Sequence, residues 1–174
     1  RVSIDGPTQD TNDAIRGGGF EKAIANLRAL QEIKRVHGVT HPVVTLHPVI
    51  TNLTYTRLTE LVNLSHELGG AGVHLSHLIF EKPEEEEGAV FRLDAAQEAA
   101  LPRYIKQAQA RATALGLEDS FDALLPNADR AVPDRDFLGR TGCGDGRMTD
   151  AACFEVWLSC IVHVTGKVGP CCVS

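Results

Sequence analysis

Along its first 116 positions the chain alternates between a hydrophobic period of two and one of about 3.6 residues, and this restricts the fold more than any other feature. Val2-Ser-Ile-Asp5 reads as a short strand that ends at the turn signal Gly6-Pro7. Phe20, Ile24, Leu27 and Leu30 then recur at helical spacing, which predicts an amphipathic helix over about 20–36 with Gly38 at its C-terminus. Pro42 to Ile50 is rich in Val and Ile and reads as a buried strand. Thr54 can cap a helix whose apolar face is Leu58, Leu61, Val62 and Leu68, ended by Gly69-Gly70. Gly72 to Phe80 is a third strand, and about 94–116 is a further helix rich in Ala and Gln. Strands are thus expected near 2–5, 42–49 and 72–79, parallel to one another, with the helices on one face. The expected fold class is α/β: about three parallel β/α units of a partial (β/α) barrel, or one edge of a doubly wound sheet, followed by a linker and a cysteine-bearing β-hairpin.

With 174 residues and 43% apolar content, the chain can form one ordinary domain and the start of another. Residues 1–125 form the α/β body, 126–148 a linker rich in Pro, Asp, Arg and Gly, and 149–174 the beginning of a second domain. The formal charge of −6 argues against a general nucleic-acid binder. Glu84 to Glu87 supply much of the acidic excess and read as a solvated loop. No apolar run approaches the roughly twenty residues that would span a membrane. The chain opens on Arg1, already in a strand pattern, and reads as an internal piece of a longer protein.

Function in parallel α/β folds sits at the C-terminal ends of the strands. Three clusters fall there: Ser3, Asp5 and Gly6 leading to Asp13 and Arg16; His47 with Thr51 and Asn52; and His74, Ser76 and His77. Ser and Asp at a strand end can hydrogen-bond a ribose or an amine, and Arg16 can hold a carboxylate. Equally, Asp5-Gly6-Pro7 can be a plain turn, with Asp13 and Arg16 paired to stiffen the loop. Gly17-Gly18-Gly19 lacks both the Gly-Lys-Ser/Thr ending and the dinucleotide fingerprint, so it reads as a flexible helix entry. His74 and His77 differ in strand parity and point to opposite faces. No nucleophile–base pair stands out.

All five cysteines (143, 153, 160, 171 and 172) crowd into the last 32 residues. An odd, clustered set suits metal ligation in a reducing, cytoplasmic compartment better than a disulfide framework. Residues 156–164 and 167–171 should pair as a hairpin across a tight turn at Thr165-Gly166, with Cys153 and Cys171 at its open end and Cys160 a packed thiol.

With these residues laid out, the chain resembles the middle of a radical S-adenosylmethionine (AdoMet) enzyme. The match lies in Val2-Ser3-Ile4-Asp5-Gly6-Pro7, then Asn12-Asp13-Ala14-Ile15-Arg16-Gly17, then Phe20-Glu21-Lys22-Ala23-Ile24 and Leu27. The spacing Cys153-x12-Gly166-x4-Cys171 is similar to the opening of the SPASM extension, which holds auxiliary iron–sulfur clusters. The resemblance implies a partial (β/α) barrel and an enzyme that generates a 5′-deoxyadenosyl radical for hydrogen abstraction, on a peptide or protein substrate. It implies AdoMet and [4Fe–4S] clusters as cofactors, with Ser3 at the ribose or methionine and Asp5 and Arg16 nearby. Cys153 and Cys171 would be auxiliary-cluster ligands, with Cys172 an adjacent alternative. The defining Cys-x3-Cys-x2-Cys is absent, as are the Gly-rich motif after the second strand and the later SPASM cysteines. As it stands, the chain cannot assemble the catalytic cluster, and the family activity would belong to a longer parent. The rival reading is a non-catalytic α/β binding or interaction fragment whose cysteines hold zinc or nothing.

Overall fold

The computed structural model of the chain describes residues 1–78, 90–125, 161–162 and 168–169. The chain divides into two units, Arg1–Leu125 and Pro126–Ser174. In the first, α1 (Gln9–Arg16), α2 (Phe20–His37), α3 (Leu58–Glu67) and α4 (Ala95–Leu115) are joined by the short strands β1 (Thr45–Leu46), β2 (Val49–Ile50), β3 (Gly72–Val73), β4 (Ser76–His77) and β5 (Glu118–Asp119). Among the described residues of this unit the pairings are parallel: β1 with β3, β2 with β4, and β3 with β5. Val2 adds a parallel bridge to Leu46. Across the sheet the segments therefore follow chain order.

The stretch expected as one strand over 42–49 is two. Proline has no N–H to give a ladder, and Pro48 falls between β1 and β2. The register nevertheless carries straight through: Leu46 faces Val73 and Val49 faces Ser76, a constant offset of 27 residues. Two bonds span the gap, from the His74 amide to the Leu46 carbonyl (2.9 Å) and from the Ser76 amide to the Pro48 carbonyl (3.1 Å).

The helices bury the faces their spacing dictates: Phe20, Ile24 and Leu27 on α2, Leu58, Leu61 and Val62 on α3, and Leu101, Ile105, Ala108 and Ala112 on α4. These side chains join Ile4, Leu46, Val73 and Phe121 in one core. Asp94 starts α4 through a capping box with Gln97. Thr54 does not cap α3. Its hydroxyl accepts from the Thr51 amide (3.1 Å) in a buried turn, and the helix begins at Leu58. Among the described residues, the helix α1, the strand β5 and a 3-10 turn over Phe121–Leu124 lie outside the sequence expectation.

In the second unit, β6 (Ile161–Val162) pairs antiparallel with β7 (Val168–Gly169). A two-residue turn at Thr165-Gly166 would place Val162 opposite Gly169. The observed partner of Val162 is Val168, so five residues connect the strands and the register is one residue tighter than expected. The expected linker 126–148 and Cys143, Cys153, Cys160, Cys171 and Cys172 lie outside the described residues.

Candidate functional site

Alternation along the strands sorts the sheet into two faces. With Val2 beside Leu46 and the offset of 27 between the next strands, Ile4, Val44, Leu46, Pro48, Ile50, Val73 and Leu75 share one face, and all are buried. Ser3, Asp5, Thr45, His47, Val49, His74 and Ser76 share the other. Apart from Asp5, these are exposed or half-buried. His77, on the parity opposite to His74, is exposed. The three clusters expected at the strand ends thus contribute Ser3, Asp5, His47, His74 and Ser76 to one polar face.

Asp5 is the most constrained of these. It is 3% exposed. One carboxylate oxygen accepts from the Val49 amide at 2.8 Å, and the other pairs with Arg16 Nε at 2.6 Å. Both oxygens are therefore committed within the protein. The Asp5 amide donates to Asn12 Oδ1 (2.9 Å), and Asn12 is the buried residue of α1. Asp5 is thus the joint among the N-terminal segment, β2 and α1, and it fixes where Arg16 sits. Arg16 keeps 36% of its side chain exposed beyond that pair. The pairing of Asp13 with Arg16 does not occur. Asp13 instead accepts from the Phe20 amide (3.2 Å) and holds the start of α2. Between the helices, Gly17, Gly18 and Gly19 all have positive φ (76°, 129° and 96°), so this link is a left-handed bend that side chains would disfavour. The helix-entry reading of the three glycines stands in that form.

The structure also supplies a pair that the sequence reading did not. Ser76 Oγ lies 3.0 Å from His47 Nε2, on the next strand. Burial first, then electrostatic repulsion from Arg1, His74 and the N-terminal ammonium, holds the His47 imidazole below its ordinary titration range, with Asp5 opposing. Among the described residues no acid bonds its other ring nitrogen, so the arrangement is a dyad and not a triad.

At the end of β2, Asn52 donates from Nδ2 to the Val90 carbonyl (2.8 Å), and its amide donates to the Phe91 carbonyl (3.1 Å). Its Oδ1 is buried and has no hydrogen-bond partner among the described residues. No group of three His, Cys, Asp or Glu suited to a metal ion occurs among those residues. No helix among them is long and apolar enough to cross a membrane. No protein-family model, curated protein or solved structure matches this chain.

Proposed function

We propose that the first unit is part of the (β/α) barrel of a radical AdoMet enzyme, and that its polar sheet face is the cofactor- and substrate-facing side. The observation that carries this reading is the joint at Asp5, which presents Ser3 and Arg16 at neighbouring strand and helix ends. Chain-order parallel strands support a barrel over a doubly wound sheet: crossovers of the usual hand then put every helix on one face. A polar opposite face agrees with that, since helices docked on it would require apolar side chains.

The residues present suit AdoMet in kind. Ser3 offers a hydroxyl, Asn52 an unmatched buried acceptor for a ribose hydroxyl or an amine, and Arg16 a guanidinium for a carboxylate. Asp5 acts one step back, by holding Arg16. When bound beside a reducing [4Fe–4S] cluster, AdoMet supplies the radical that abstracts a substrate hydrogen. The catalytic cluster itself does not fit this chain, which has no Cys-x3-Cys-x2-Cys, and no step through it is derived. Cys153, Cys171 and Cys172 remain proposed ligands of an auxiliary cluster, and a cytoplasmic peptide or protein modifier remains the proposed parent.

Calorimetric titration of the chain with AdoMet tests the reading. Binding should be measurable, and Ser3→Ala should weaken it about fivefold, one hydrogen bond of about 1 kcal/mol. A natively folded chain with no AdoMet binding at millimolar concentration overturns the cofactor assignment and leaves the non-catalytic interaction fragment.

A further inference from the structure

We propose that His47, His74 and Ser76 form a binding site for an anionic oxygen group, a carboxylate or a phosphate, on the polar face of the sheet. The site goes beyond the AdoMet reading, because it rests on the register of two neighbouring strand segments and on charge, and it uses neither Ser3 nor Arg16.

The register brings the three residues together. The constant offset of 27 sets His47 level with His74 on the adjacent strand, and Ser76 lies one pleat further along that strand. Its hydroxyl reaches back diagonally to His47 Nε2 at 3.0 Å. A row of imidazoles is unusual inside a parallel sheet, where Val, Ile and aromatic side chains are favoured. The interior of a (β/α) barrel is ordinarily filled by bulky branched residues in layers. Here the level that should be packed carries hydrogen-bonding groups instead, while Leu46, Pro48, Val73 and Leu75 on the opposite face of the same strands are apolar and buried. Two half-buried imidazoles and a hydroxyl are poor filling and good ligand contacts.

Charge selects the ligand. The charged and titratable groups acting on His47 are Arg1, the neighbouring His74, the N-terminal ammonium and the single carboxylate of Asp5. Asp5 is already matched by Arg16 and the Val49 amide. The excess positive character around the dyad thus has no acidic counterpart within the cluster. Each neutral imidazole presents one N–H and each protonated one two, so an acceptor-only group satisfies them. A bound anion would also favour protonated His47, because it offsets the neighbours that disfavour that form.

The test uses the full chain with labelled histidine, and follows the imidazole C–H signals between about pH 5 and 8, the range in which histidine titrates. His47→Gln and His74→Gln assign the two signals. Inorganic phosphate and acetate are added separately, with no AdoMet present, so this experiment and the cofactor titration succeed or fail independently. The expected result is a saturable upward movement of the His47 midpoint with one or both probes, while the exposed His37, His41 and His66 are unmoved. Response to phosphate alone identifies a phosphoryl ligand, and response to acetate identifies a carboxylate. Ser76→Ala should weaken the response severalfold while its amide spectrum stays native. The proposal is overturned if His47 titrates identically with and without both probes. It is equally overturned if the exposed histidines shift as much as His47, which is general ion screening.

Discussion

Removing the Asp5 carboxylate should loosen the first unit by an amount that its two contacts define. The bond it accepts from the half-buried Val49 amide, at 2.8 Å in a residue 3% exposed, is charge-assisted and partly shielded from water. Such a bond contributes about 1.5–3 kcal/mol. The pair with Arg16 contributes less, about 0.5–1 kcal/mol, because a guanidinium one-third exposed is screened and can turn to water. Asp5→Ala should therefore cost about 2–4 kcal/mol. With an m-value of about 2 kcal/mol/M, the urea midpoint of the full chain, read by far-UV circular dichroism, should fall by about 1–2 M. The two partners are not symmetrical. Arg16→Ala strands a carboxylate whose side chain is 4% exposed, whereas Asp5→Ala leaves an arginine that can rehydrate. The double variant should accordingly be more stable than the sum of the single losses implies, with a coupling of about 1 kcal/mol. A midpoint change under about 0.3 M for Asp5→Ala, given the same m-value, would refute the joint. Strict additivity with Arg16→Ala would refute the pair.

Three further outcomes follow from the geometry. A Cβ built on Gly72 would stand 2.4 Å from the Glu118 carbonyl oxygen, so Gly72→Ala should part β3 from β5 and strip hydrogen-exchange protection from the amides of that pairing; unchanged protection would show the strands can yield. Asp94→Ala removes the acceptor for the Gln97 amide and should cost about 1 kcal/mol in chemical denaturation, with Asp94→Ser close to neutral. The His47 imidazole, held below its ordinary 6.5, binds fewer protons folded than unfolded, so stability rises with pH through the window just below 6.5. The full contribution is present above 6.5 and is lost as pH falls through the folded value, and His47→Gln should flatten that part of the profile. An unchanged slope between about pH 5 and 7 would assign it to other groups.

What the sequence made legible was whatever depends on apolar period. The faces of α2 and α3 could be named residue by residue because Phe20, Ile24 and Leu27, and Leu58, Leu61 and Val62, recur at helical spacing. The opposite parity of His74 and His77 was legible for the same reason. The helix α1 was not, since its eight residues carry no apolar stripe and its buried member is Asn12. That helix is held by a side-chain bond to the Asp5 amide, a long-range contact that leaves no periodic trace. Strand β5 consists of two acidic residues, types depleted in strands, and only its pairing with β3 makes it one. Thr54 shows the converse error. A capping residue stands at a reasonable place before an apolar run, but its hydroxyl turns inward to Thr51, and α3 starts without a side-chain cap.

The candidate site was half legible for a related reason. Which residues stand at strand ends follows from the β/α pattern, and so Ser3, Asp5, His47, His74 and Ser76 could be singled out. How they divide their work depends on register, and register is set by the pairing of Val2 with Leu46 and by the offset of 27 across the next two strands. A slip of one residue between Val2 and Leu46 would have sent Ser3 and Asp5 to the apolar face, where Asp5 could meet neither Val49 nor Arg16. That pairing is what separates the two roles. It commits Asp5 wholly to protein partners, so that its contribution is to hold Arg16, and it leaves Ser3 and the His47–Ser76 dyad with groups still able to meet a ligand.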